Sequence, residues 1–186
     1  MNILAFAASN SRRSINKQLV SHASSMLAEQ IGTEAKVETI DLNDYEMPIY
    51  SVDRENETGI PAMAHRFFNK VREADVVLIS FAEHNGSYSA AYKNLYDWAS
   101  RIDMRVYEGK PMLLLATSPG PGGAKNVLKS AAESLPHFGA DVRGTFSLDR
   151  FHDNFDHDEL RLVDPKLTSD LAHKLNKLIS REQVVA

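Results

Sequence analysis

The chain has 186 residues, of which 21 are Lys or Arg and 25 are Asp or Glu, giving a formal net charge of −4. Apolar residues at 43% and charged residues at 25% exclude a disordered or fibrous chain. Cysteine is absent, which excludes disulfides, thiolate metal ligands and a thiol nucleophile, and fits a reducing compartment.

Apolar runs of strand length alternate with segments of helical period. The first strand is Ile3–Ala8, and after a polar loop Ile15, Leu19, Val20, Ala23, Leu27 and Ile31 mark the first helix. Gly32 stands where a C-cap glycine stops it. Lys36–Leu42 alternates and reads as a second strand, followed by a long polar stretch from Asn43 to Gly59. Ile60, Ala64, Phe67, Phe68 and Val71 form the next helix, with Pro61 in its first turn. Val76–Ile79 is a continuous apolar strand of the kind buried on both faces. Ala91, Leu95, Trp98, Ala99 and Ile102 give a third helix, Met112–Ala116 a fourth strand, and Val127, Leu128, Ala131 and Leu135 a fourth helix. Asp141–Phe146 reads as a fifth strand, and Leu167, Leu171, Leu175, Leu178 and Ile179 as a terminal helix.

This alternation predicts an α/β fold in three layers, a parallel sheet covered by helices on both faces. No repeat or linker divides the chain, so one domain is expected over residues 1–186. The periodicity does not order the strands, but ligands of such sheets sit beyond the carboxyl ends where the order reverses. The loops leaving the first, third and fourth strands are therefore the place to look.

The first loop, Ser9-Asn10-Ser11-Arg12-Arg13-Ser14-Ile15-Asn16, brings hydroxyl donors to a helix start, a set that suits a terminal phosphate. Its other reading is an ordinary cap by Ser14 or Asn16. The second, Phe81-Ala82-Glu83-His84-Asn85-Gly86-Ser87-Tyr88, contains an Asn-Gly pair that permits a left-handed turn and close approach of a flat ligand. Its other reading is a turn with Ser87 as cap. The third, Thr117-Ser118-Pro119-Gly120-Pro121-Gly122-Gly123, has little side-chain bulk and suits a planar ring or simply a tight connection.

Together these loops resemble the NADPH-dependent FMN reductase family of flavodoxin-like proteins, from Met1 to about Phe146. Ala8-Ser9-Asn10-Ser11-Arg12-Arg13-Ser14-Ile15-Asn16 is similar to the family's Gly-Ser-x-Arg-x-x-Ser-x-Asn, with alanine for glycine and Ser11 for the arginine. Ala82-Glu83-His84-Asn85-Gly86-Ser87 is similar to Pro-Glu-Tyr-Asn-x-Ser, and Lys93-Asn94, Asp97-Trp98 and Ser118 through Gly123 resemble later family segments.

The resemblance implies a flavodoxin-like sheet of five parallel strands in the order 2-1-3-4-5. It implies bound FMN, with NADPH or NADH as cosubstrate and a flavin, quinone or azo compound as acceptor. Ser9, Ser11, Ser14, Ile15 and Asn16 would hold the phosphate, with Arg12 compensating for the missing arginine. Ala82, Glu83, His84, Asn85, Gly86 and Ser87 would flank the flavin ring largely through backbone groups, and Ser118, Pro119 and Gly120 would approach it from the third loop. No catalytic acid or base is required, and His84 borders the pocket. A flavodoxin-type electron carrier and a flavin-free sensor or scaffold are the competing readings.

The apolar runs are far shorter than the ~20 residues needed to span a bilayer. Arg12 and Arg13 follow the first run, the reverse of a secretory signal. A cytoplasmic protein with neither membrane nor nucleic-acid partners is expected. His152, Asp153, Asp156, His157 and Asp158 lack ligand spacing, and a solvated polar segment without metal is expected there. Met47-Pro48-Ile49-Tyr50 resembles a family segment near a partner subunit. Tyr88, Tyr92 and Tyr96 widen the apolar face of their helix, which predicts a homodimer or homotetramer.

Overall fold

The structure, a computed structural model, describes residues 1–180; residues 181–186 of the expected domain lie outside them. Strands β1 (Asn2–Ala8), β2 (Lys36–Ile40), β3 (Val76–Phe81), β4 (Pro111–Thr117) and β5 (Asp141–Leu148) form a sheet of 5 strands in the order β2-β1-β3-β4-β5. All its pairings are parallel. The order reverses between β1 and β3, so the loops leaving these two strands are neighbours, and the loop leaving β4 is next in line.

Because successive strand side chains point to opposite faces, β1 feeds two cores. Leu4, Phe6 and Ala8 face one layer, where they meet Phe67 and Val71 of α3 (Ala62–Glu73), Tyr92 and Leu95 of α4 (Ala90–Ile102), and Val127 and Leu128 of α5 (Lys125–Ser134). Ile3 and Ala5 face the other, against Leu19 and Leu27 of α1 (Ile15–Ile31) and Leu171 and Leu175 of α7 (Pro165–Ile179). β3 and the apolar body of β4 are buried on both sides, which explains their unbroken hydrophobic runs. Gly32 ends α1 at φ 82°, and its N–H donates to Ala28 O at 2.8 Å.

Several local expectations are corrected. β2 stops at Ile40, because Asp41 turns to cap a 3₁₀ helix over Leu42–Tyr45 through Asn43 N. The polar stretch that follows holds α2 (Val52–Thr58), capped by Ser51 and ended by Gly59. Pro61 precedes α3 as its N-cap in extended conformation, rather than sitting inside its first turn. β5 runs on to Leu148. Ser89, not Ser87, caps α4; its Oγ accepts from Tyr92 N at 3.2 Å and donates to Ala8 O at 2.8 Å.

The polar side chains His152, Asp153, His157 and Asp158 are exposed as expected, but the segment is not a plain loop: it folds as α6 (Phe151–Asn154) and the strand pair β6 (Phe155–Asp156) and β7 (Arg161–Leu162). Phe151 and Phe155 stack at 4.7 Å and are buried with Leu162 on the α1 side. The tyrosine stripe of α4 is also spent within the chain. Tyr92 and Tyr96 are buried, the Tyr92 hydroxyl meets that of Tyr107 at 2.8 Å, and Tyr96 packs edge-on to Phe138 at 4.9 Å. Tyr88 is half-buried, so little of that stripe is left to face a second copy. Among the described residues no helix is long and apolar enough to cross a membrane.

Candidate functional site

The first loop joins β1 to α1. Ser14 caps the helix, its Oγ accepting from Lys17 N at 3.3 Å, and Ser11 N donates to Ser9 Oγ at 3.2 Å. Ser9 and Ser14 are buried at the loop's inner wall, while Ser11, Arg12 and Arg13 are exposed. Among the described residues neither Arg12 nor Arg13 has an acidic partner. The N–H groups of Ile15 and Asn16 open the helix, where no preceding carbonyl can reach them.

Asn16 departs from the phosphate-ligand role given to its side chain. It is only 3% exposed, and its amide is committed within the protein. Oδ1 accepts from Ser80 Oγ at 2.7 Å and from Thr117 N at 3.1 Å, while Nδ2 donates to Thr117 O at 3.3 Å. One side chain at the start of α1 thus ties together the ends of β3 and β4. Such a buried amide, with its oxygen and one of its two N–H donors used inside the protein, fixes geometry. Its main-chain N–H at the start of α1 stays open to a ligand.

The second loop is a tight hairpin. His84 N donates to Ser87 O and Ser87 N to His84 O, each at 3.0 Å. Asn85 (φ 52°) and Gly86 (φ 77°) occupy the two central positions, the positive-φ pair of a type I′ turn. The Glu83 carboxylate is engaged within the protein: Oε2 accepts from Val127 N at 3.0 Å and Oε1 from Asn126 Nδ2 at 3.1 Å. It therefore caps α5 from outside, a role the sequence reading missed because the partners lie 44 and 43 positions away. Behind the hairpin, burial pushes the Tyr88 phenol pKa up, and its hydroxyl lies 3.1 Å from Ser134 Oγ.

The third loop is pinned to the far side of the sheet. Thr117 Oγ1 donates to Leu148 O at 2.7 Å, Phe151 N to Ser118 O at 3.1 Å, and Arg150 N to Gly120 O at 2.9 Å. Ser147 Oγ donates to Gly123 O at 2.7 Å, and a Cβ on Gly123 would stand 2.4 Å from that same oxygen. Gly120 and Gly122, by contrast, face open space.

The three loops converge on one open cavity of about 290 Å³. Ser9, Ser11, Ser14, Ile15 and Asn16 line it from the first loop, Ala82, Glu83 and His84 from the second, and Ser118 and Pro119 from the third. Arg13 lines it, while Arg12, the arginine expected to compensate, stands exposed one position away. Asn85, Gly86, Ser87 and Gly120 lie just outside this lining, in the hairpin tip and the outer turn of the third loop.

The donor set suits FMN. A phosphate dianion needs short donors and positive charge, and the first loop has hydroxyls, helix N–H groups and an unpaired guanidinium. The sole carboxylate in the lining, Glu83, is occupied with α5. A flat heterocycle needs backbone it can approach, and the other end has the small or open positions of Ala82, Ser118 and Gly120.

The remaining polar candidates lie elsewhere. His152 Nδ1 is 3.0 Å from His157 Nε2, and His157 Nδ1 is 3.1 Å from Gln18 Oε1, a chain that fastens the β6–β7 segment to α1. Asp156 takes Asp158 N and Glu159 N at 2.9 and 3.0 Å, and these bonds hold its carboxyl below the usual carboxylate range. Among the described residues no group of three or more His, Cys, Asp or Glu is disposed to hold a metal ion.

Comparison with known proteins places this cavity in context. The chain is 37% identical over 81 residues to a quinone reductase of Escherichia coli, a stretch covering 43% of each chain. It is 36% identical over 104 residues to an NAD(P)H-dependent FMN reductase of Pseudomonas aeruginosa, covering 55% of this chain and 56% of that one. The matched stretches thus span about half the length of these relatives. Among solved structures, FerB, a flavoenzyme NAD(P)H:(acceptor) oxidoreductase from Paracoccus denitrificans, superposes with a TM-score of 0.72 at 23% identity, over 95% of this chain and 94% of that one. That likeness concerns the fold. Residues 1–153, which contain all three loops, match the sequence model of NADPH-dependent FMN reductase, and the chain belongs to that family.

Proposed function

We propose that this chain is an FMN-dependent NAD(P)H oxidoreductase that delivers two electrons to a small acceptor: free flavin, a quinone or an azo compound. The observation that supports the reading is a single cavity lined by three serine hydroxyls, each able to donate, and a cation at one end and by accessible main chain at the other. When bound, FMN would supply the redox chemistry, a hydride acceptor and two-electron donor that the chain's own side chains lack.

The chain's own part is to bind, orient and shield. Ser9, Ser11 and Ser14, with the N–H groups that open α1, hold the phosphate, and Arg13 balances its charge. Ala82–Ser87 and Ser118–Gly120 present backbone to the ring, and Asn16 keeps the two ends in fixed relation. Holding the reactants in contact geometry accounts for much of the rate. No side chain in the cavity needs to move a proton, and His84 borders the pocket.

The test is a visible spectrum of the purified protein followed by FMN, then NADPH or NADH, then menadione. The expected sequence is bound-flavin absorbance, bleaching by at least one nicotinamide, and recovery with the quinone. Protein that leaves added FMN unbound, or bound flavin that neither nicotinamide bleaches, overturns the reading.

We further propose that one domain over residues 1–186 carries this activity, in the cytoplasm, as a homodimer or homotetramer. With most of the tyrosine stripe buried, the support for assembly shifts to Ile49, Val52 and Met104, which remain 75%, 61% and 56% exposed. A monomeric mass by light scattering at micromolar concentration would remove the assembly.

A further inference from the structure

We propose that Glu83 is the positioning residue for the ring end of the site, acting through α5 and not by touching the ligand; this rests on the FMN reading above. Helix α5 starts without a side-chain cap of its own. Its N-cap, Ala124, is held at φ 55° and ψ 37°, and its methyl group offers no acceptor for the helix's first N–H groups. A helix start of this kind ordinarily takes a Ser, Thr, Asp or Asn from its own chain neighbourhood. Here the acceptor is imported from the second loop. Glu83 Oε2 takes Val127 N, the third helical position, at 3.0 Å, and Oε1 takes Asn126 Nδ2 at 3.1 Å. A carboxylate at that place also complements the positive end of the helix.

The consequence falls on the site because of what flanks each partner. Glu83 itself lies between Ala82, at the end of β3, and the His84–Ser87 hairpin. Asn126 and Val127 lie in the first turn of α5, three and four positions beyond Gly123 at the end of the third loop. That loop is anchored on its outer side by main-chain and Ser147 bonds to the end of β5 and to residues 150 and 151. On its inner side, among the described residues, the hydrogen bonds joining the second loop to α5 are those of Glu83 and the Tyr88–Ser134 contact behind the hairpin. Glu83 is thus the fastening at the lip of the cavity, and the spacing between the two backbone walls depends on it. Asn16 performs the corresponding task at the phosphate end.

The experiment measures the affinity of Glu83→Ala, Glu83→Gln and Asn126→Ala for FMN and for riboflavin, by flavin fluorescence, beside thermal melts. Riboflavin lacks the phosphate and so reports the ring end alone. The expected result for Glu83→Ala is about tenfold weaker binding of both compounds, with the FMN-to-riboflavin preference of the wild type kept. Glu83→Gln, which retains an acceptor for Val127 N, recovers part of the loss. Asn126→Ala, outside the cavity, shows a smaller loss of the same pattern, and with Glu83→Gln it carries the comparison if Glu83→Ala does not fold. Wild-type affinity in Glu83→Ala, a loss confined to FMN, or Glu83→Gln no better than alanine overturns the inference. Wild-type protein that binds neither compound overturns the FMN reading itself, whereas wild-type binding with an unmoved Glu83→Ala overturns the Glu83 inference alone.

Discussion

At the end of the cavity built by the first loop, the groups offered include side chains: three serines line it, two of them buried in the wall, and among the described residues Arg13 has no acidic partner. At the end built by the second and third loops, the side chains are engaged in scaffolding and the main chain is what remains. Glu83 caps α5, Thr117 reaches Leu148, and the hairpin closes on its own backbone. The difference teaches how each end responds to change. Substitution at the first end removes a contact and should be read in ligand affinity. Substitution at the second displaces a wall and should be read in geometry and stability as well.

The largest expected effect comes from the side chain that bridges both regimes. Asn16→Leu leaves Ser80 Oγ and the Thr117 main chain buried without partners, and should cost about 3 kcal/mol of unfolding free energy. Urea denaturation without ligand measures it; a loss below about 1 kcal/mol would show that the strand ends hold without the pin.

Next is the double substitution Ser9→Ala, Ser11→Ala, expected to weaken FMN about tenfold while leaving riboflavin untouched. Equal losses for both compounds would erase the distinction between the ends. A smaller effect separates the two arginines: Arg13→Ala should weaken FMN about threefold at low salt and less at high salt, with Arg12→Ala near wild type. The reverse order would put the charge partner at Arg12 after all.

The smallest concerns the tie between the start of α1 and the end of β2, where Lys17 Nζ meets Asp41 at 2.8 Å. The hydrogen bond from Lys17, with help from Asn43, holds the Asp41 carboxyl below its ordinary value. A carboxyl with a depressed folded-state pKa stabilises above its unfolded value of about 4 and loses that contribution as pH falls through the folded value. Because the pair is partly exposed, Asp41→Asn should cost only about 0.5 kcal/mol at pH 7, the difference fading below about pH 4. A constant difference across that range would assign the cost to the 3₁₀ cap instead of the charge.

Much of this architecture is legible in the chain because the elements that matter carry strong periodicity. β3 and β4 are apolar throughout because both faces are covered, and α1 and α7 show their stripes because each buries one side. α2 escaped because it buries nothing, so no apolar stripe exists to read; its signals were the caps, Ser51 and Gly59. The segment after β5 escaped for the opposite reason, its Phe151, Phe155 and Leu162 being too sparse among acids and histidines to suggest burial. At the site, composition locates the loops but not the direction of each side chain. The family resemblance sets Asn16 at the phosphate and the Glu83 backbone beside the ring, but says nothing of where either side chain is used. Their partners lie 64 to 101 and 43 to 44 positions away, so only the folded chain shows that they face inward.

Asn16 also bears on how the molecule comes into being. Its amide is satisfied only when β4, beginning at Pro111, lies beside β3, so roughly the first three-fifths of the polypeptide can be synthesised before the recess has a floor. A nascent chain or a truncated fragment lacking that strand would possess the serine-rich turn with only its local bonds, without the tie to the central layer. Cofactor loading is therefore expected late, after the central layer closes.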